Sequence, residues 1–222
     1  MSAKGRILGA LGPVLLTEAR VLSVEAIVPS LRRIVLGGEA LRRARWHPGD
    51  KVQVVLAGHL VRTYTPSRWD AMRGETELLH YAHGKGPGAE WGRSVRPGDA
   101  VRLFGPRGSL RSDGGPVALF GDETTLGLAV ALAARAILEV SEPAVGAAAA
   151  ALLPGTSTFA VDGDRHFDAL VDALIEAGNG ATLMLAGRAR SIAEVRRRLT
   201  ARGVPAPRLV RPYWADGKVG LD

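Results

Sequence analysis

Two stretches in the first half of the chain determine how its fold can be built: Arg62-Thr63-Tyr64-Thr65-Pro66-Ser67 and His83-Gly84-Lys85-Gly86-Pro87-Gly88-Ala89-Glu90-Trp91. The first is typical of a half-buried strand, in which Arg62 and Tyr64 share one face because they are two residues apart. The second combines glycines, which allow close backbone approach, with the opening of a helix. Their order predicts a strand and a glycine-rich turn that meet at one site.

These residue types suit a flavin nucleotide. An aromatic side chain such as Tyr64 can stack on its flat, electron-poor ring, and a guanidinium such as Arg62 matches its diphosphate with two parallel hydrogen bonds. Gly86-Pro87-Gly88 lets the backbone approach the phosphates, and the first N–H groups of the next helix favour an anion. Thr65 points to the opposite face and would reach the ring only through backbone curvature or its main-chain N–H. Taken singly, each stretch is also typical of an ordinary strand or turn.

Five motifs in this order resemble the siderophore-interacting protein family, flavoproteins related to ferredoxin-NADP reductase. Two are the stretches quoted above, which match Arg-x-Tyr-Thr-x-Arg and His-Gly-x-Gly-Pro-Ala-x-x-Trp. The other three are Arg96-Pro97-Gly98-Asp99, Gly105-Pro106-Arg107-Gly108 and Gly121-Asp122-Glu123-Thr124. With a partial match at Tyr213-Trp214, the resemblance extends from about residue 19 to 217.

The resemblance implies FAD as cofactor and a ferric siderophore as substrate, with NADH, NADPH or a reduced ferredoxin as electron donor. Arg62, His83 and the N–H groups of residues 86–89 would hold the diphosphate, Tyr64 would stack on the ring, and Thr65 would lie near a ring nitrogen. No acid–base residue is needed, because the cofactor carries the redox chemistry. The residues expected at the cofactor are Arg62, Tyr64, Thr65, Pro66, Ser67, His83, Gly84, Gly86, Pro87, Gly88, Ala89, Asp122, Glu123, Thr124 and Trp214.

The sequence departs from the family pattern at several positions. Ser67 replaces the second arginine of the first motif, which removes one expected phosphate or ribose contact. Gly88-Ala89 replaces Ala-Ser and removes a hydroxyl. Gly127 replaces a proline that commonly follows the Gly-Asp-Glu-Thr turn, and Arg188 stands where an acidic residue is often found. Two alternatives therefore stay open: a related flavin reductase or oxidase with a biosynthetic substrate, and a flavin-binding protein without turnover.

The Gly121-Asp122-Glu123-Thr124 turn follows a predicted strand of a parallel sheet, where such sheets bind ligands. The resemblance places it near the nicotinamide or the flavin ring. Asp122 or Thr124 can also cap the next helix, and two carboxylates there would repel a nucleotide phosphate. A late aromatic covers the second flavin face or the adenine in related reductases, and Tyr213 or Trp214 is predicted to do the same, with core packing as the alternative for Trp214.

Two turns indicate whether the protein would prefer NADH or NADPH. The net acidic segment Asp162-Gly163-Asp164-Arg165-His166 favours NADH, or no nicotinamide, over NADPH. Arg188 and Arg190 offer an alternative phosphate site.

Composition excludes several other classes. The 222-residue chain has no cysteine, which rules out disulfides, thiolate metal sites and thiol nucleophiles. His80 and His83 would face opposite sides of a strand, so no metal site is expected. The net charge is +7, but the arginines are scattered and no nucleic-acid-binding motif is present. The apolar run at residues 7–16 is too short and broken to span a bilayer. We expect a cytoplasmic monomer that binds neither nucleic acid nor membrane.

Two differently patterned halves meet near Ser112-Asp113-Gly114-Gly115-Pro116. We assign residues 1–17 to an N-terminal arm, 18–113 to an antiparallel Greek-key β-barrel that binds FAD, and 114–222 to a parallel-sheet α/β domain of the NAD(P)H-binding type. The barrel strands are predicted at residues 20–28, 31–36, 51–56, 61–65, 77–82 and 100–104, with a helix at 89–94. The second domain is predicted to have strands at 117–121, 144–153, 157–161 and 181–186, and helices at 124–140, 167–177 and 191–202.

Overall fold

The computed structural model describes residues 16–207 and 209–217. They form an antiparallel sheet followed by a parallel sheet with flanking helices, as predicted. The predicted N-terminal arm lies outside the described residues except for its last two positions, and Thr17 already begins the first strand.

The first domain contains seven antiparallel strands, which pair in the order β4-β3-β7-β1-β2-β6-β5. They are β1 Thr17–Val28, β2 Leu31–Gly37, β3 Lys51–Val55, β4 Val61–Tyr64, β5 Arg68–Asp70, β6 Glu75–Tyr81 and β7 Ala100–Arg107. The six predicted strands are all present. Strand β5 was missed because three residues between turns are too few to show a period.

This sheet is curved around one apolar cluster. Val54 of β3 and Leu78 of β6 belong to the cluster, although three strands separate β3 from β6 in the sheet. Tyr64 and Trp69, from the two end strands β4 and β5, pack against the same cluster. A flat sheet could not bring both ends to one core, so the barrel-like architecture predicted from the sequence is confirmed.

Two helices belong to this domain, α1 (Glu39–Arg42) and α2 (Pro87–Ser94). Helix α2 connects β6 to β7 and covers the barrel, since its Trp91 and the following Val95 pack on the barrel core. The α2 region is therefore fixed by burial of apolar surface on its inner side.

The second domain contains five parallel strands in the order β10-β9-β8-β11-β12. The strands are β8 Val117–Gly121, β9 Arg135–Val140, β10 Ser157–Ala160, β11 Thr182–Arg188 and β12 Leu209–Trp214, and the helices are α3 Leu126–Ala131, α4 Pro143–Leu152, α5 Phe167–Gly178 and α6 Ala189–Ala201. The chain reverses direction across the sheet between β8 and β11. Ligands of open α/β sheets bind at such a point.

Two predictions for this domain are wrong. Residues 124–140 were predicted as one helix. They instead contain the short helix α3, then a turn in which Ala133 has φ 47°, and then the strand β9. A strand buried on both faces is mostly apolar and has no period of two that separates it from a helix. The strand predicted at 144–153 is helix α4, which Pro143 starts and which alanines continue.

The two domains share an apolar interface. Leu31 and Leu79 of the barrel belong to the same buried cluster as Leu119 and Leu126 of the α/β domain. Gly127 allows the two domains to approach closely, because a Cβ at this position would lie 2.4 Å from the Thr65 carbonyl oxygen. The departure from the family's proline therefore coincides with a backbone contact between the domains.

Polar contacts reinforce this interface next to the apolar cluster. The carboxylate of Glu142, just before α4, accepts hydrogen bonds from Ser30 Oγ at 2.7 Å and from the Tyr81 hydroxyl at 2.9 Å. Both donors belong to the barrel, so one carboxylate joins the β1–β2 turn and the end of β6 to the second domain.

Within the described residues, the helices are all too short or too polar to be membrane spans.

Candidate functional site

Strand β4 and the start of helix α2 face each other, as the two sequence stretches predict. A Cβ on Gly88 would lie 3.3 Å from Arg62 Cγ and 3.4 Å from the Tyr64 hydroxyl oxygen. Both side chains therefore leave β4 on the same side and pack against the first turn of α2. We call Arg62, Tyr64 and residues 83–89 the cradle.

The cradle presents positive partial charge to solvent. Helix α2 begins after Gly86, with Pro87 in its first turn, and no side chain caps its first N–H groups. At Gly84 and Gly86, no group within 4 Å obstructs the place of a Cβ. Arg62 donates to the Val61 carbonyl at 2.8 Å, and no carboxylate among the described residues pairs with it. A guanidinium and uncapped helix N–H groups side by side suit an anion such as a diphosphate.

Two arginines hold the cradle from behind. Arg93, in the last turn of α2, donates to the carbonyls of Ala82 and Gly84, each at 2.9 Å. Arg32 on β2 donates to the carbonyls of Gly92 and Arg93 at 3.1 and 2.9 Å, at the carboxyl end of the helix. Cations at that end also complement the helix dipole.

An aromatic cluster lies beneath the cradle. The Tyr64 ring is 5.6 Å from the His80 ring in an edge-on arrangement and 5.5 Å from the Trp91 ring. Burial raises the pKa of the Tyr64 hydroxyl well above its ordinary value, although Arg62 opposes that rise. Tyr64 is therefore a neutral hydroxyl at the inner wall of the cradle.

Residues from both domains meet at Trp214. Its ring centroid is 5.0 Å from that of His83, and the Arg188 guanidinium lies 5.2 Å from the indole centroid. Burial lowers the pKa of the His83 imidazole, and the nearby negative charge of Asp122 opposes this decrease. Trp214 thus packs between His83 and Arg188, and its role at a flavin or an adenine stays a prediction.

Asp122 is the centre of the second predicted binding turn and is only 2 % exposed. Its carboxylate accepts hydrogen bonds from the Thr124 amide (2.8 Å), the Arg188 amide (2.7 Å), Trp214 Nε1 (2.8 Å) and the Thr124 hydroxyl. Burial raises the pKa of this carboxyl, and the hydrogen bonds oppose the rise. The predicted capping role is confirmed, and the same carboxylate also joins β8, β11 and β12.

The other acidic side chains at this edge of the parallel sheet, Glu123 and Glu139, also have partners within the protein. Glu123 is buried and accepts from the Ser141 amide, and burial raises its pKa. Glu139 is buried against His166, with Oε2 to Nε2 at 3.3 Å, and burial raises its pKa as well. Within the described ranges, no three histidine or acidic side chains form a metal-binding cluster.

Two other residues predicted at the cofactor, Thr65 and Ser67, use their hydroxyl groups in contacts within the protein. Thr65 Oγ1 lies 3.0 Å from the Tyr213 hydroxyl, a contact between the domains, and burial raises the pKa of Tyr213 to about 12. Ser67 Oγ donates to the Glu77 carboxylate at 2.7 Å. Contact of Thr65, Pro66 and Ser67 with a cofactor stays a prediction, and the Ser67 amide is itself bonded to the Glu77 carbonyl at 2.9 Å.

The two arginines considered for an extra phosphate are both paired with carboxylates. Arg188 forms a bidentate pair with Asp216, with its shortest N–O distance 2.8 Å, and Arg190 lies 3.4 Å from Asp164. The second pair is between exposed side chains, so an anionic ligand could displace it at small cost.

Sequence reasoning overlooked His80 as part of this site. His80 was considered only as a metal ligand, yet its ring lies under Gly92, where a Cβ would come 1.7 Å from the ring. A glycine in the middle of a short helix was the available signal, because such a residue often marks close approach by another group.

The fold of the two domains is similar to that of several solved structures. A curved antiparallel domain with an anion cradle, joined to a five-stranded parallel domain at its switch point, is the two-domain fold of ferredoxin reductases. The solved structures agree. The chain resembles a ferredoxin NADP+ reductase from Neisseria gonorrhoeae, solved with bound FAD and NADP, at a TM-score of 0.71 and 16% identity over 90% of this chain and 100% of that one.

The barrel is similar to a known type of FAD-binding domain. Residues 57–110 match the family model described as the siderophore-interacting FAD-binding domain. A siderophore utilization protein from T. fusca has a TM-score of 0.72 and 23% identity, over 93% of this chain and 95% of that one. The resemblance inferred from the five motifs, and FAD as the cofactor of this domain type, are thereby confirmed.

A curated relative matches over part of its length. The NADPH-dependent ferric-chelate reductase of Escherichia coli (strain K12) is 32% identical over 116 residues, which cover 42% of this chain and 45% of the relative. The match thus spans less than half of that protein.

Proposed function

We propose that the chain is an FAD-dependent oxidoreductase that reduces ferric siderophores and thereby releases Fe(II). The observation that carries the proposal is the cradle, where Arg62 and the uncapped N–H groups of α2 meet across Gly88. FAD supplies hydride acceptance and single-electron return when it is bound. Hard-oxygen chelators hold Fe(II) far less tightly than Fe(III), so reduction frees the metal.

The chain's own residues bind and orient in this proposal. Arg62 and the main-chain N–H groups of Gly88 and Ala89 hold the diphosphate, and Tyr64 supports the ring from the inner wall of the cradle. The interdomain contacts of Gly127 and Glu142 keep the second domain against the barrel.

The electron donor is NAD(P)H or a reduced ferredoxin. A parallel sheet with its switch point beside the cradle supports a nicotinamide donor, and the partially matching relative from Escherichia coli is named for NADPH. The bidentate pair of Arg188 with Asp216 favours NADH, because the extra phosphate of NADPH would have to displace Asp216, whereas the exposed pair of Arg190 with Asp164 opposes that phosphate little. A monomer in the cytoplasm remains our prediction from the sequence.

Anaerobic mixing tests this function. Protein loaded with FAD is mixed with NADH, NADPH or reduced ferredoxin, and the visible flavin band is followed; a ferric siderophore is then added. We expect bleaching by at least one donor and recovery of the band when the ferric siderophore arrives, with Fe(II) trapped by a ferrous chelator. Bleaching without recovery would instead support a flavin reductase or oxidase with another substrate. No bleaching by any donor would support a flavin-binding protein without turnover.

A further inference from the structure

His80 is a buried polar side chain for which the proposed function has no role. It belongs to β6, is 4 % exposed, and shares the inner face of its strand with Leu78 of the barrel core. Its Nε2 lies 3.1 Å from the Gly88 carbonyl oxygen. Because a carbonyl only accepts hydrogen bonds, Nε2 must carry the proton and donate it.

The His80 ring contacts both halves of the cradle. On one side it meets Tyr64 of β4 and Trp91 of α2, with ring centroids 5.6 and 5.9 Å away. On the other it fills the place of a side chain at Gly92, where a Cβ would come 1.7 Å from both Cδ2 and Nε2. The ring therefore sets how closely α2 approaches the barrel, and its hydrogen bond sets the position of Gly88 along β6.

The position of Gly88 matters because this residue separates Arg62 from the amides of the first helical turn. A Cβ on Gly88 would already lie 3.3 Å from Arg62 Cγ, so a small shift of α2 would change the distance between the guanidinium and those amides. Two groups bind one diphosphate well only when both are held in place before the ligand arrives.

We propose that His80 is a positioning residue for the diphosphate: by donating to the Gly88 carbonyl beneath Gly92, it holds the first turn of α2 in register with Arg62. This inference rests on the proposed function, in which the cradle binds FAD. It concerns the phosphate part of the cofactor only. Loss of the His80 contact should therefore weaken binding of FAD more than binding of riboflavin, which has the same ring and no phosphate.

Two substitutions at His80 separate donation from packing. His80→Gln keeps an N–H donor, whereas His80→Phe keeps a planar ring without one. We measure the dissociation constants of FAD and riboflavin by quenching of flavin fluorescence on flavin-free protein. A lost hydrogen bond of about 1 kcal/mol corresponds to about a fivefold effect, so we expect the riboflavin-to-FAD ratio of dissociation constants to fall about fivefold in His80→Phe and to stay within about twofold in His80→Gln.

Gly92→Ala is a second route to the same question if His80→Phe does not fold. The new methyl group must displace the His80 ring while alanine supports the helix, so the ratio should fall as it does in His80→Phe. Equal ratios in wild type, His80→Phe and Gly92→Ala would overturn the inference while leaving the proposed function intact. Failure of the wild-type protein to bind FAD at all would overturn the proposed function itself.

Discussion

The cradle and the Gly121–Thr124 turn are both polar turns predicted to bind the cofactor, but the protein uses them in opposite ways. In the cradle, the first N–H groups of α2 have no side-chain cap and Arg62 has no carboxylate partner among the described residues. In the second turn, Asp122 is buried and accepts from donors on three segments. The comparison separates a turn whose donors have no side-chain partner in the described part of the chain, and are free to receive a ligand, from a turn whose polar groups are satisfied internally and hold the fold.

The largest expected effect is loss of stability in Asp122→Ala. Removal of the carboxylate leaves the Thr124 and Arg188 amides and the Trp214 indole N–H without their acceptor, so we expect the free energy of unfolding to fall by about 3–5 kcal/mol. Urea unfolding measures it. Asp99→Ala is the matched control, since Asp99 accepts from the Arg96 amide in an exposed turn, and its effect should stay below about 1 kcal/mol. Comparable losses in the two variants would contradict the role assigned to Asp122.

Arg62→Leu should bind FAD more weakly but change stability little, in contrast to Asp122→Ala. Loss of charge-assisted hydrogen bonds of about 1.5–3 kcal/mol predicts a 10- to 100-fold higher dissociation constant, measured by fluorescence titration. Arg62→Lys should be intermediate, because an ammonium cannot form the paired hydrogen bonds. Arg102, an exposed arginine on β7 of the same barrel, provides the control Arg102→Leu, which should bind FAD normally. Wild-type affinity in Arg62→Leu would show that the cradle does not hold the diphosphate.

The two regions should also differ in their response to pH. Burial, with smaller contributions from His83, Arg32 and Arg93, lowers the pKa of His80 to about 4. The unfolded chain therefore takes up a proton on this residue at higher pH than the folded protein, and stability is lost as pH falls from about 6.5 to 4, by an amount on the order of 1–3 kcal/mol. Urea unfolding between these pH values should show a weaker decline in His80→Gln than in wild type.

The carboxyl groups of the Gly121–Thr124 turn make stability depend on pH in the opposite direction. Burial raises the pKa values of Asp122 and Glu123, so their contribution to stability decreases as pH rises from the unfolded values through the folded ones. A wild-type protein that declines no more steeply than His80→Gln below about pH 6.5 would contradict the neutral, buried state of His80.

The smallest effect is expected for Trp214→Phe. An aromatic ring remains between His83 and Arg188, and only the hydrogen bond from the indole N–H to Asp122 is lost. We expect thermal and urea unfolding to report a loss of about 1 kcal/mol. A loss as large as that of Asp122→Ala would mean that Trp214, and not the carboxylate, organises the second turn.

Sequence alone could identify the barrel because its strands are half-buried and alternate, and because five short motifs kept their order. It placed Arg62 and Tyr64 on one face correctly, since that follows from a two-residue period. It could not find strand β9, which is buried on both faces, or the left-handed Ala133 that precedes it. It predicted that Asp122 could cap its own turn, but not that the Arg188 amide and the Trp214 indole also donate to it, because these residues are 66 and 92 positions away along the chain.

The departures from the family pattern also could not be explained from the sequence alone. Ser67, in place of an arginine, is buried and bonded to Glu77, and Gly127 permits a contact with the Thr65 carbonyl. Arg188 is held by Asp216 and packs on Trp214. In each case the meaning of the residue depends on a partner that only the folded chain brings near.

The central claim is that the cradle between barrel and parallel sheet binds FAD by its diphosphate. The most direct measurement is the visible absorbance spectrum of the protein after purification and after incubation with excess FAD, followed by denaturation to release and quantify the flavin. The account predicts a yellow protein that carries one FAD per chain. A colourless protein that takes up no FAD even from excess would contradict it.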